Sequence, residues 1–427
     1  MTVHVVGAGL AGLAAAIDAA GRGRSVRVHE AAGQAGGRCR SFFDATLGRT
    51  IDNGNHLLLS GNRAALAFLD AVGARDALTA PAAAVYPFVD LASGARWHLA
   101  VGDGVLPLWI LDPARRVPGT RAADYWALVR LACAGPGTRV DDVVPPSHPL
   151  HRALVAPLAV AALNAGTGEG AAALLAPVMR ETFARGGAAC RPLIARRGLD
   201  DAFAAPALHW LAARGIVPRF NARLRGMRFR DGRVAGLRFA DGEVAVAADD
   251  AVVLAVPPAI AAELVPDLTV PEGTRAILNA HFRLPERLAA DGEPSFLGIL
   301  GGTAEWLFMR GDVASVTVSA ADALIDRPAD DLAAAIWADV ARALSLAGDV
   351  PPWRIVKEKR ATFAQTPEQV ARRPPAATAW PNLFLAGDWT ATGLPATIEG
   401  AIRSGFHAAS LACGVENGRD RRARAAA

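Results

Sequence analysis

The hydrophobic pattern of the first thirty residues predicts a strand, a helix and a second strand in quick succession. Residues 3–6 form a short apolar run, residues 13–20 are mostly alanine, and residues 25–29 form a second β-like run. A glycine-rich turn separates the first run from the helix, and the acid Glu30 follows the second run. The pattern therefore predicts a β-α-β unit.

Three glycines, Gly7, Gly9 and Gly12, precede that acid by about twenty residues, which is the spacing of a dinucleotide-binding unit. The first glycine allows a tight turn, the second lets the backbone approach a pyrophosphate, and the third lets the helix pack on the strand. The helix start, at Leu10 and Ala11, then faces the phosphate charge, and the acid accepts hydrogen bonds from ribose hydroxyls. Glycines also mark ordinary turns, but every element of the unit is in place. We predict that the chain binds a dinucleotide.

A second glycine-rich segment, residues 33–41, favours FAD over NAD. Its paired glycines, Gly36 and Gly37, would bring the backbone close to the cofactor. Arg38 can place its guanidinium on a phosphate or near the flavin ring, although a solvated arginine in a loop is the alternative.

A segment near the other end of the chain also favours FAD over NAD. An apolar strand ends at Gly387 and Asp388, and a turn then leads into a helix that begins near Thr397, Ile398 and Glu399. The aspartate can accept hydrogen bonds from the ribityl chain of a flavin, which NAD lacks. The helix start offers N–H groups to the pyrophosphate or the isoalloxazine.

At these segments the chain resembles the large FAD-dependent family of amine oxidases, protoporphyrinogen oxidases and phytoene desaturases. Within it, residues 51–62, 157–164 and 356–363 resemble the squalene-associated desaturase group, the hydroxysqualene dehydroxylases. The resemblance implies an α/β fold, with a Rossmann-like FAD-binding domain assembled from discontinuous segments and an α+β substrate-binding domain. It also implies that hydroxysqualene loses its hydroxyl and gains hydride from reduced flavin, giving squalene, water and oxidised FAD.

The domains are expected to alternate along the chain, since the FAD-binding segments are separated by two insertions. Leu224 is placed to touch the adenine, and Ala255 ends a strand that closes the sheet over the cofactor. The first insertion is predicted to be mainly helical, and the second to contain β-like runs and one helix. We predict an FAD-binding domain of residues 1–80, 199–256 and 380–413, a substrate domain of residues 81–198 and 257–379, and a flexible tail of residues 414–427.

Composition excludes several other classes of protein. Of 427 residues, 52% are hydrophobic, and no window reaches the ~18 consecutive apolar residues of a membrane span. A strand already begins at residue 3, so we expect no signal peptide and a cytoplasmic location. The net charge of +4 and the lack of a basic stripe exclude nucleic acid, and the four cysteines lack metal-ligand spacing. Cys39 lies between two arginines, where a thiolate would be favoured.

The candidate catalytic residues are His56, Asn55 and Asp388, and all three are also predicted to contact the cofactor. In the family that the chain resembles, the flavin performs the redox step while the protein positions the substrate and excludes water. His56 is our candidate for the proton source or hydrogen-bond donor to the leaving hydroxyl, with a structural histidine as the alternative. Asp388 is expected to be a flavin ligand, and Asp52 and Glu399 are alternative acids.

Other activities of the family fit less well. Amine oxidases usually place a lysine on the strand that residues 277–282 would form, but the only lysines here are Lys357 and Lys359. A desaturase that removes hydrogen from a carotenoid or squalene backbone stays open, as does an escort protein that binds prenyl chains without flavin. No second glycine motif for a nicotinamide cofactor is present, so we expect an external electron donor.

The predicted substrate is a lipophilic isoprenoid, and residues 101–133 are a candidate membrane contact. Apolar and tryptophan side chains flanked by arginine suit a helix lying in an anionic membrane surface, with a buried helix as the alternative. A cavity that stabilises a carbocation needs aromatic walls. The candidates are Trp109, Trp126, Trp210, Trp306 and Trp389.

Overall fold

The computed structural model describes residues 1–285 and 295–414 as an α/β fold organised around two large sheets. The β-α-β unit at the start of the chain is confirmed, with a strand at Thr2–Val6, a helix at Leu10–Gly21 and a strand at Ser25–His29. From position 415 onward, the predicted tail lies outside the described residues.

Within these residues the strands pair into a four-stranded parallel sheet, a seven-stranded mixed sheet and three smaller sheets. In chain order the strands are β1 Thr2–Val6, β2 Ser25–His29, β3 Ser41–Asp44, β4 Arg49–Asp52, β5 Leu58–Leu59, β6 Leu78–Thr79, β7 Ala84–Asp90, β8 Arg96–Val101, β9 Pro192–Ala195, β10 Gly226–Arg230, β11 Arg233–Phe239, β12 Gly242–Ala245, β13 Ala251–Leu254, β14 Thr274–Arg283, β15 Ser295–Leu300, β16 Trp306–Arg310, β17 Val313–Val318, β18 Trp353–Phe363 and β19 Leu383–Leu385.

Along the sequence, the α-helices of the described residues lie mainly between strands of the two large sheets. They are α1 Leu10–Gly21, α2 Arg63–Ala71, α3 Trp126–Ala132, α4 Val140–Val143, α5 Ala156–Leu163, α6 Ala172–Glu181, α7 Ala205–Ala212, α8 Pro258–Leu264, α9 Ala329–Leu344, α10 Pro367–Val370 and α11 Ile398–Ala412. π-Helical turns at His151–Val155 and Asp200–Ala204 lead into α5 and α7, and several short 3-10 turns, including Leu108–Leu111 and Ala122–Tyr125, occur in the loops. None of the described helices is long and apolar enough to cross a membrane.

The four-stranded sheet is parallel throughout and has the order β19-β13-β1-β2. Its strands therefore come from each of the three chain segments that we assigned to cofactor binding, whose exact boundaries stay a prediction. Helices α1 and α11 approach each other closely at Gly405. A Cβ on this glycine would lie only 2.1 Å from the Ala11 carbonyl oxygen, so no larger residue fits there. This contact fixes the C-terminal segment against the first β-α-β unit.

The seven-stranded sheet has the order β18-β14-β17-β16-β15-β7-β8 and carries different chemistry on its two faces. On one face, Leu278 and Phe282 of β14 pack in a core with Ile336 of α9. Because side chains alternate along a strand, the intervening residues Asn279 and His281 point to the opposite face. That face is buried yet polar, and it is directed toward the loop that follows β4.

The first insertion contains more helix than strand, as predicted, but it begins with strands β7 and β8, which were not predicted. Strand β7 runs parallel to β15 of the second insertion, with Phe88 opposite Gly298. The two strands were missed because the partner strand of β7 lies far away in the sequence, where local periodicity carries no information. The strands and the helix expected in the second insertion are confirmed as β14, β15, β17 and α9.

Candidate active site

Two glycines of the motif, one in the turn after β1 and one in the first turn of α1, have no space for a side chain. Gly7 has a φ of +104°, and a Cβ there would lie 2.3 Å from the carbonyl oxygen of Ala255. A Cβ on Gly12 would lie 1.8 Å from the Gly7 carbonyl oxygen. The Ala255 N–H donates to the Val6 carbonyl at 2.7 Å, so the end of β13 lies against the turn. This is the close packing expected of a dinucleotide-binding turn, and the predicted cofactor contact of Ala255 stays a prediction.

Helix α1 begins immediately after this turn without a capping side chain. Its N-cap is Gly9, which has no side-chain oxygen, so the N–H groups of the first turn, including those of Leu10 and Ala11, have no capping side chain. An uncapped helix start carries a partial positive charge and directs N–H groups outward, which favours a bound phosphate. The predicted pyrophosphate contact at these residues is therefore physically reasonable.

Glu30 lies at the carboxyl end of β2, beside the glycine turn. Its carboxylate accepts hydrogen bonds from the Ala8 N–H at 2.6 Å and from the Ala32 N–H at 2.8 Å. These two donors orient the carboxylate and leave further lone pairs for ribose hydroxyls. The Ala222 N–H donates to the Glu30 carbonyl at 2.8 Å, so the segment leading to the buried Leu224 passes alongside. The predicted contacts of Glu30 with ribose and of Leu224 with adenine stay predictions.

The second glycine segment lies directly on the start of α1. The Gly36 N–H donates to the Ala8 carbonyl at 2.8 Å, and a Cβ on Gly37 would lie 3.2 Å from the Gly9 Cα. The two glycine segments therefore approach each other backbone to backbone. This placement brings the next residue, Arg38, toward the C-terminal segment.

Arg38 and Asp388 form an ion pair that joins the first and last segments of the site. Arg38 Nη2 lies 2.7 Å from Asp388 Oδ2, and the guanidinium also donates to the Ala361 carbonyl. Asp388 is almost fully buried, and its negative charge raises the pKa of Arg38. The Gly387 N–H donates to Ser404 Oγ at 2.8 Å, which holds the end of β19 against α11. Segments that are distant in the chain therefore meet here.

The start of α11 is the third part of this arrangement. Thr397 caps the helix, because its hydroxyl oxygen accepts from the Gly400 N–H at 3.2 Å. The carboxylate of Glu399 accepts from the Ala64 and Ala65 N–H groups at 3.0 and 2.8 Å and therefore caps helix α2. A cofactor contact of Ile398 or Glu399 would thus involve the backbone, and it stays a prediction.

Cys39 does not have the thiolate character that its arginine neighbours led us to expect. The side chain is only 5% exposed. Burial raises the pKa of its thiol far above the ordinary value, and the charge of Arg38 opposes this only weakly. The expectation was wrong because sequence neighbours do not report desolvation.

A cavity lies between the loop after β4 and strands β9, β16 and β17. It is polar on the side of that loop and mainly apolar on the side of the strands. Its lining residues are Asp52, Asn55, His56, Ile194, Ala195, Leu199, Phe308, Met309, Arg310 and Ser315.

His56 and Asn55 are the predicted catalytic residues that border this cavity. Within residues 1–285 and 295–414 the His56 ring makes no hydrogen bond, and burial lowers the pKa of His56 to about 4. The ring is therefore neutral near pH 7 and keeps one N–H to donate. Asn55 is fixed differently, since its Nδ2 donates to Thr317 Oγ1 at 3.1 Å.

A buried polar layer behind the cavity was not predicted. Thr317 Oγ1 donates to Asn279 Oδ1 at 2.8 Å, and Asn279 Nδ2 donates to the Asn53 carbonyl at 3.2 Å. His281 Nδ1 lies 2.8 Å from Ser315 Oγ, and its Nε2 has no partner among the described residues. The available signal was the alternation of polar residues at 279 and 281 within an otherwise apolar strand.

The alternative acid Asp52 is occupied by structural contacts. Its carboxylate accepts from Arg310 Nη1 at 2.8 Å, from the Ser41 hydroxyl at 2.5 Å and from the Leu199 N–H at 2.9 Å. The side chain is almost completely buried. Asp52 therefore anchors the loop that carries Asn55 and His56.

The five candidate tryptophans do not converge on one cavity. Trp126 is 66% exposed, and Arg214 stacks over Trp210 at 3.6 Å. Trp109 and Trp389 are buried in two different hydrophobic clusters. Among the described residues, the aromatic side chain that lines the cavity is that of Phe308, so the tryptophan prediction was wrong.

A family model described as flavin containing amine oxidoreductase matches residues 10–108 and 143–413. The chain belongs to this family. One solved structure of the same fold is a putative protoporphyrinogen oxidase from Exiguobacterium sp. 255-15. Its TM-score is 0.65 at 15% identity, and the match covers 96% of this chain and 98% of that one. Cyclohexylamine oxidase from Brevibacterium oxydans IH-35A has a TM-score of 0.68 at 16% identity, covering 97% and 99% of the two chains. At these identities the structural likeness concerns the fold alone.

Curated relatives within the family are far more similar in sequence. The chain is 51% identical over 411 residues to a hydroxysqualene dehydroxylase of Rhodopseudomonas palustris, covering 96% of this chain and 98% of that protein. It is 48% identical over 415 residues to a hydroxysqualene dehydroxylase of Sinorhizobium fredii, covering 97% and 99%. A third hydroxysqualene dehydroxylase, from Zymomonas mobilis, is 46% identical over 409 residues, covering 96% and 98%.

The chain is an FAD-dependent oxidoreductase, and its residues fit that cofactor. The helix start at Leu10 suits a pyrophosphate, and the oriented carboxylate of Glu30 suits ribose hydroxyls. Asp388, which pairs with Arg38, and the start of α11 would hold the flavin end of the molecule. The strand β14, where amine oxidases usually place a lysine, has none. Both lysines of the chain make exposed contacts elsewhere, with Lys359 Nζ 2.8 Å from Asp326 Oδ1.

Proposed function

We propose that this enzyme carries out the reductive dehydroxylation of hydroxysqualene to squalene. The observation that carries the proposal is 46–51% identity to three proteins named hydroxysqualene dehydroxylase, over nearly the whole length of each chain. The cavity beside His56 supports it, because it combines hydrogen-bonding side chains with apolar walls.

The reaction replaces the hydroxyl of the substrate with hydrogen, so that hydroxysqualene and reduced FAD give squalene, water and oxidised FAD. Reduced FAD supplies the hydride when it is bound. The residues of the chain then have three tasks: to bind the polyene, to help the hydroxyl leave, and to exclude the water that would recapture a carbocation.

His56 is the proposed hydrogen-bond donor to the leaving hydroxyl. Because burial holds the pKa of His56 at about 4, the ring is a neutral donor and not a charged acid near pH 7. It has no competing partner among the described residues, and Thr317 holds the neighbouring Asn55 in place. Asn55 would orient the substrate hydroxyl, whereas Asp388 serves the cofactor through its contact with Arg38.

The apolar wall of the cavity provides the dry environment that the reaction needs. Ile194, Leu199, Phe308 and Met309 line it. The face of an aromatic ring attracts a carbocation, and aliphatic walls exclude competing water. Phe308 is therefore the proposed aromatic contact of the cationic carbon.

Two partners follow from the proposed reaction. Each turnover consumes two electrons, so an external donor must reduce the flavin, and we place that donor outside this chain. The substrate and product are hydrocarbon-rich lipids that partition into bilayers, so we also propose peripheral contact with a membrane.

The direct test uses purified FAD-loaded protein, a chemical reductant and hydroxysqualene under anaerobic conditions. Mass spectrometry is expected to show a product lighter by one oxygen atom that co-elutes with squalene. The matched control omits the reductant and should leave the substrate unchanged.

The opposite electron flow provides the contradicting result. If the oxidised enzyme forms conjugated double bonds in squalene or phytoene, and the reduced enzyme leaves hydroxysqualene intact, the chain is a desaturase and the proposal is wrong.

A further inference from the structure

A group of large apolar side chains is exposed to solvent between residues 105 and 129. The other exposed large apolar side chains of the described residues, such as Phe43 and Val217, are isolated along the chain. We call the group the apolar tip. It consists of Val105 (72% exposed), Leu106 (72%), Leu108 (65%), Leu111 (64%), Trp126 (66%) and Val129 (43%).

The apolar tip is a single surface because two buried aromatic rings join its parts. Trp109 lies edge-on to Tyr125 with the ring centroids 5.3 Å apart, and both residues are buried. The Tyr125 hydroxyl accepts from the Val117 N–H at 2.8 Å, which fixes the intervening loop. The loop that carries Leu108 and the helix α3 that carries Trp126 are therefore held side by side.

Helix α3 has one buried side and one exposed side. Ala127 and Leu131 face the core, whereas Trp126, Val129 and Arg130 share the outer side at positions i, i+3 and i+4. An exposed tryptophan and valine on a short helix are costly in water. This arrangement is typical of a segment that lies in a membrane interface.

The charges around the apolar tip complement an anionic surface. Arg121 and Arg130 are exposed, and Arg115 and Arg116 are half-buried nearby. Of the acids in the same region, Asp112 accepts from the Ala114 N–H and Asp124 from the Arg121 N–H, so both carboxylates are directed at backbone. Asp103 is paired with Arg191 at 3.8 Å. The arginines are therefore the charges best placed to meet lipid phosphates.

The apolar tip also connects with the cavity. Trp109 and Tyr125 belong to one buried hydrophobic cluster that also contains Ile194 and Phe308. The latter two residues line the cavity beside His56. One continuous apolar cluster therefore extends from the exposed surface to the proposed substrate site.

We propose that the apolar tip inserts into the interfacial region of an anionic lipid bilayer and that the substrate enters the protein from there. The identity of that substrate rests on the proposed function, whereas docking to lipid does not. The proposed partner of the apolar tip is a lipid bilayer. The aliphatic and tryptophan side chains of the tip match the acyl layer, and the flanking arginines match the headgroup layer.

Co-sedimentation of the FAD-loaded protein with lipid vesicles tests this inference. The double variant Leu106→Ser/Leu108→Ser is expected to bind phosphatidylglycerol-containing vesicles roughly a hundredfold more weakly, since each buried leucine contributes about tenfold. The matched control, Phe43→Ser/Val217→Ser, removes equally exposed apolar side chains elsewhere and should bind like the wild type. Arg121→Gln/Arg130→Gln should weaken binding to anionic vesicles and leave binding to pure phosphatidylcholine vesicles unchanged.

The result that would overturn the inference is equal sedimentation of the wild type and the leucine variant. Conversion of a dimer into a monomer by the same variant, without any vesicle binding by the wild type, would also overturn it and assign the surface to a second copy of the chain. The flavin spectrum confirms that each variant is folded. Failure to reduce detergent-dispersed hydroxysqualene, with vesicle binding intact, would contradict the proposed function and leave the docking surface standing.

Discussion

The cofactor half and the substrate half of the active site satisfy their polar groups in different ways. Around the glycine turn, the carboxylates of Glu30 and Asp388 each have donors within the chain. Around the cavity, the ring of His56 and Nε2 of His281 have no partner among the described residues. The carboxylates of the cofactor half are therefore satisfied within the chain, while the cavity half holds ring nitrogens without partners.

This difference reflects two ways of building a site. A dinucleotide is bound largely by backbone N–H groups, so sterics at glycine determine the geometry before any ligand arrives. A hydroxyl in an apolar cavity is bound by side chains, and an unpaired buried polar group costs about 1–3 kcal/mol until a ligand contacts it. The unpaired ring of His56, which lines the cavity, is therefore available to a ligand hydroxyl.

The largest expected effect is that of Gly12→Ala in the cofactor half. The new Cβ would lie 1.8 Å from the Gly7 carbonyl oxygen, so the turn must open and FAD binding should be lost. The protein should purify colourless and without the flavin absorbance bands. Gly21→Ala is the control on the same helix, because a Cβ there meets nothing within 4 Å. A yellow Gly12→Ala protein with normal flavin content would show that the turn is not rigid.

The second effect concerns the ion pair that joins the two ends of the chain. Asp388→Ala leaves the guanidinium of Arg38 without its carboxylate and removes a proposed flavin contact. Because hydrogen bonds to charged groups contribute about 1.5–3 kcal/mol, the Kd for FAD should rise about tenfold to a hundredfold. Quenching of flavin fluorescence measures it. Asp70→Ala breaks an exposed ion pair with Arg75 and is the control. An unchanged Kd would exclude Asp388 from the FAD site.

The cofactor half could be predicted from sequence because its signals are local. The glycine spacing, the acid after β2 and the strand before Gly387 lie within short windows, and each steric requirement involves near neighbours. Arg38 and Asp388 were each predicted as cofactor contacts from their own segments, but the ion pair between them was not, because it joins the two ends of the chain.

The substrate half was less predictable because its contacts join distant strands. The pairing of β7 with β15 has no local signature, so the strands at the start of the first insertion were not predicted. The layer of Asn279, His281, Ser315 and Thr317 depends on which strands become neighbours. Sequence also did not decide whether residues 101–133 are buried, whereas the structure exposes Leu106 and Trp126.

The third effect tests the substrate half at His56. His56→Phe removes the proposed donor to the hydroxyl, and kcat should fall about tenfold to a hundredfold, the usual range for one hydrogen bond in a dry site. His56→Gln keeps an N–H donor and should recover part of the loss. Both should retain normal FAD content, which separates them from Gly12→Ala, and His98→Phe at an exposed position is the control.

The pH dependence of kcat gives an independent check on this histidine. Since the pKa of His56 is about 4, the wild type should show no inflection from this residue near 6.5, the ordinary pKa of histidine. An inflection near 6.5 that disappears in His56→Phe would mean that the ring titrates as a charged acid, contrary to the proposed role.

The smallest expected effect is that of His29→Phe. This residue is an exception within the cofactor half, because it has an unpaired buried ring like that of the cavity half. Neither of its ring nitrogens has a partner among the described residues, and the ring stacks on Phe239 with centroids 4.6 Å apart. Burial, assisted by His4, lowers the pKa of His29 to about 4. The folded protein therefore resists protonation at a site where the unfolded chain accepts a proton near pH 6.5.

The sign of the resulting pH effect follows from that difference in proton binding. Above pH 6.5 neither state is protonated at His29, so the residue adds no pH dependence. Between about pH 6.5 and 4 the unfolded state binds more protons, and the free energy of unfolding falls by up to about 1.4 kcal/mol per pH unit. His29→Phe should keep the stacking and lose this slope, so the free energy of unfolding should differ less between pH 7 and pH 5 than it does in the wild type. His98→Phe is the control.

Normal FAD binding by His29→Phe would show that an unpaired nitrogen alone does not mark a functional histidine, and that His56 is distinguished by its position at the cavity. An unchanged slope would mean that His29 is protonated in the folded protein.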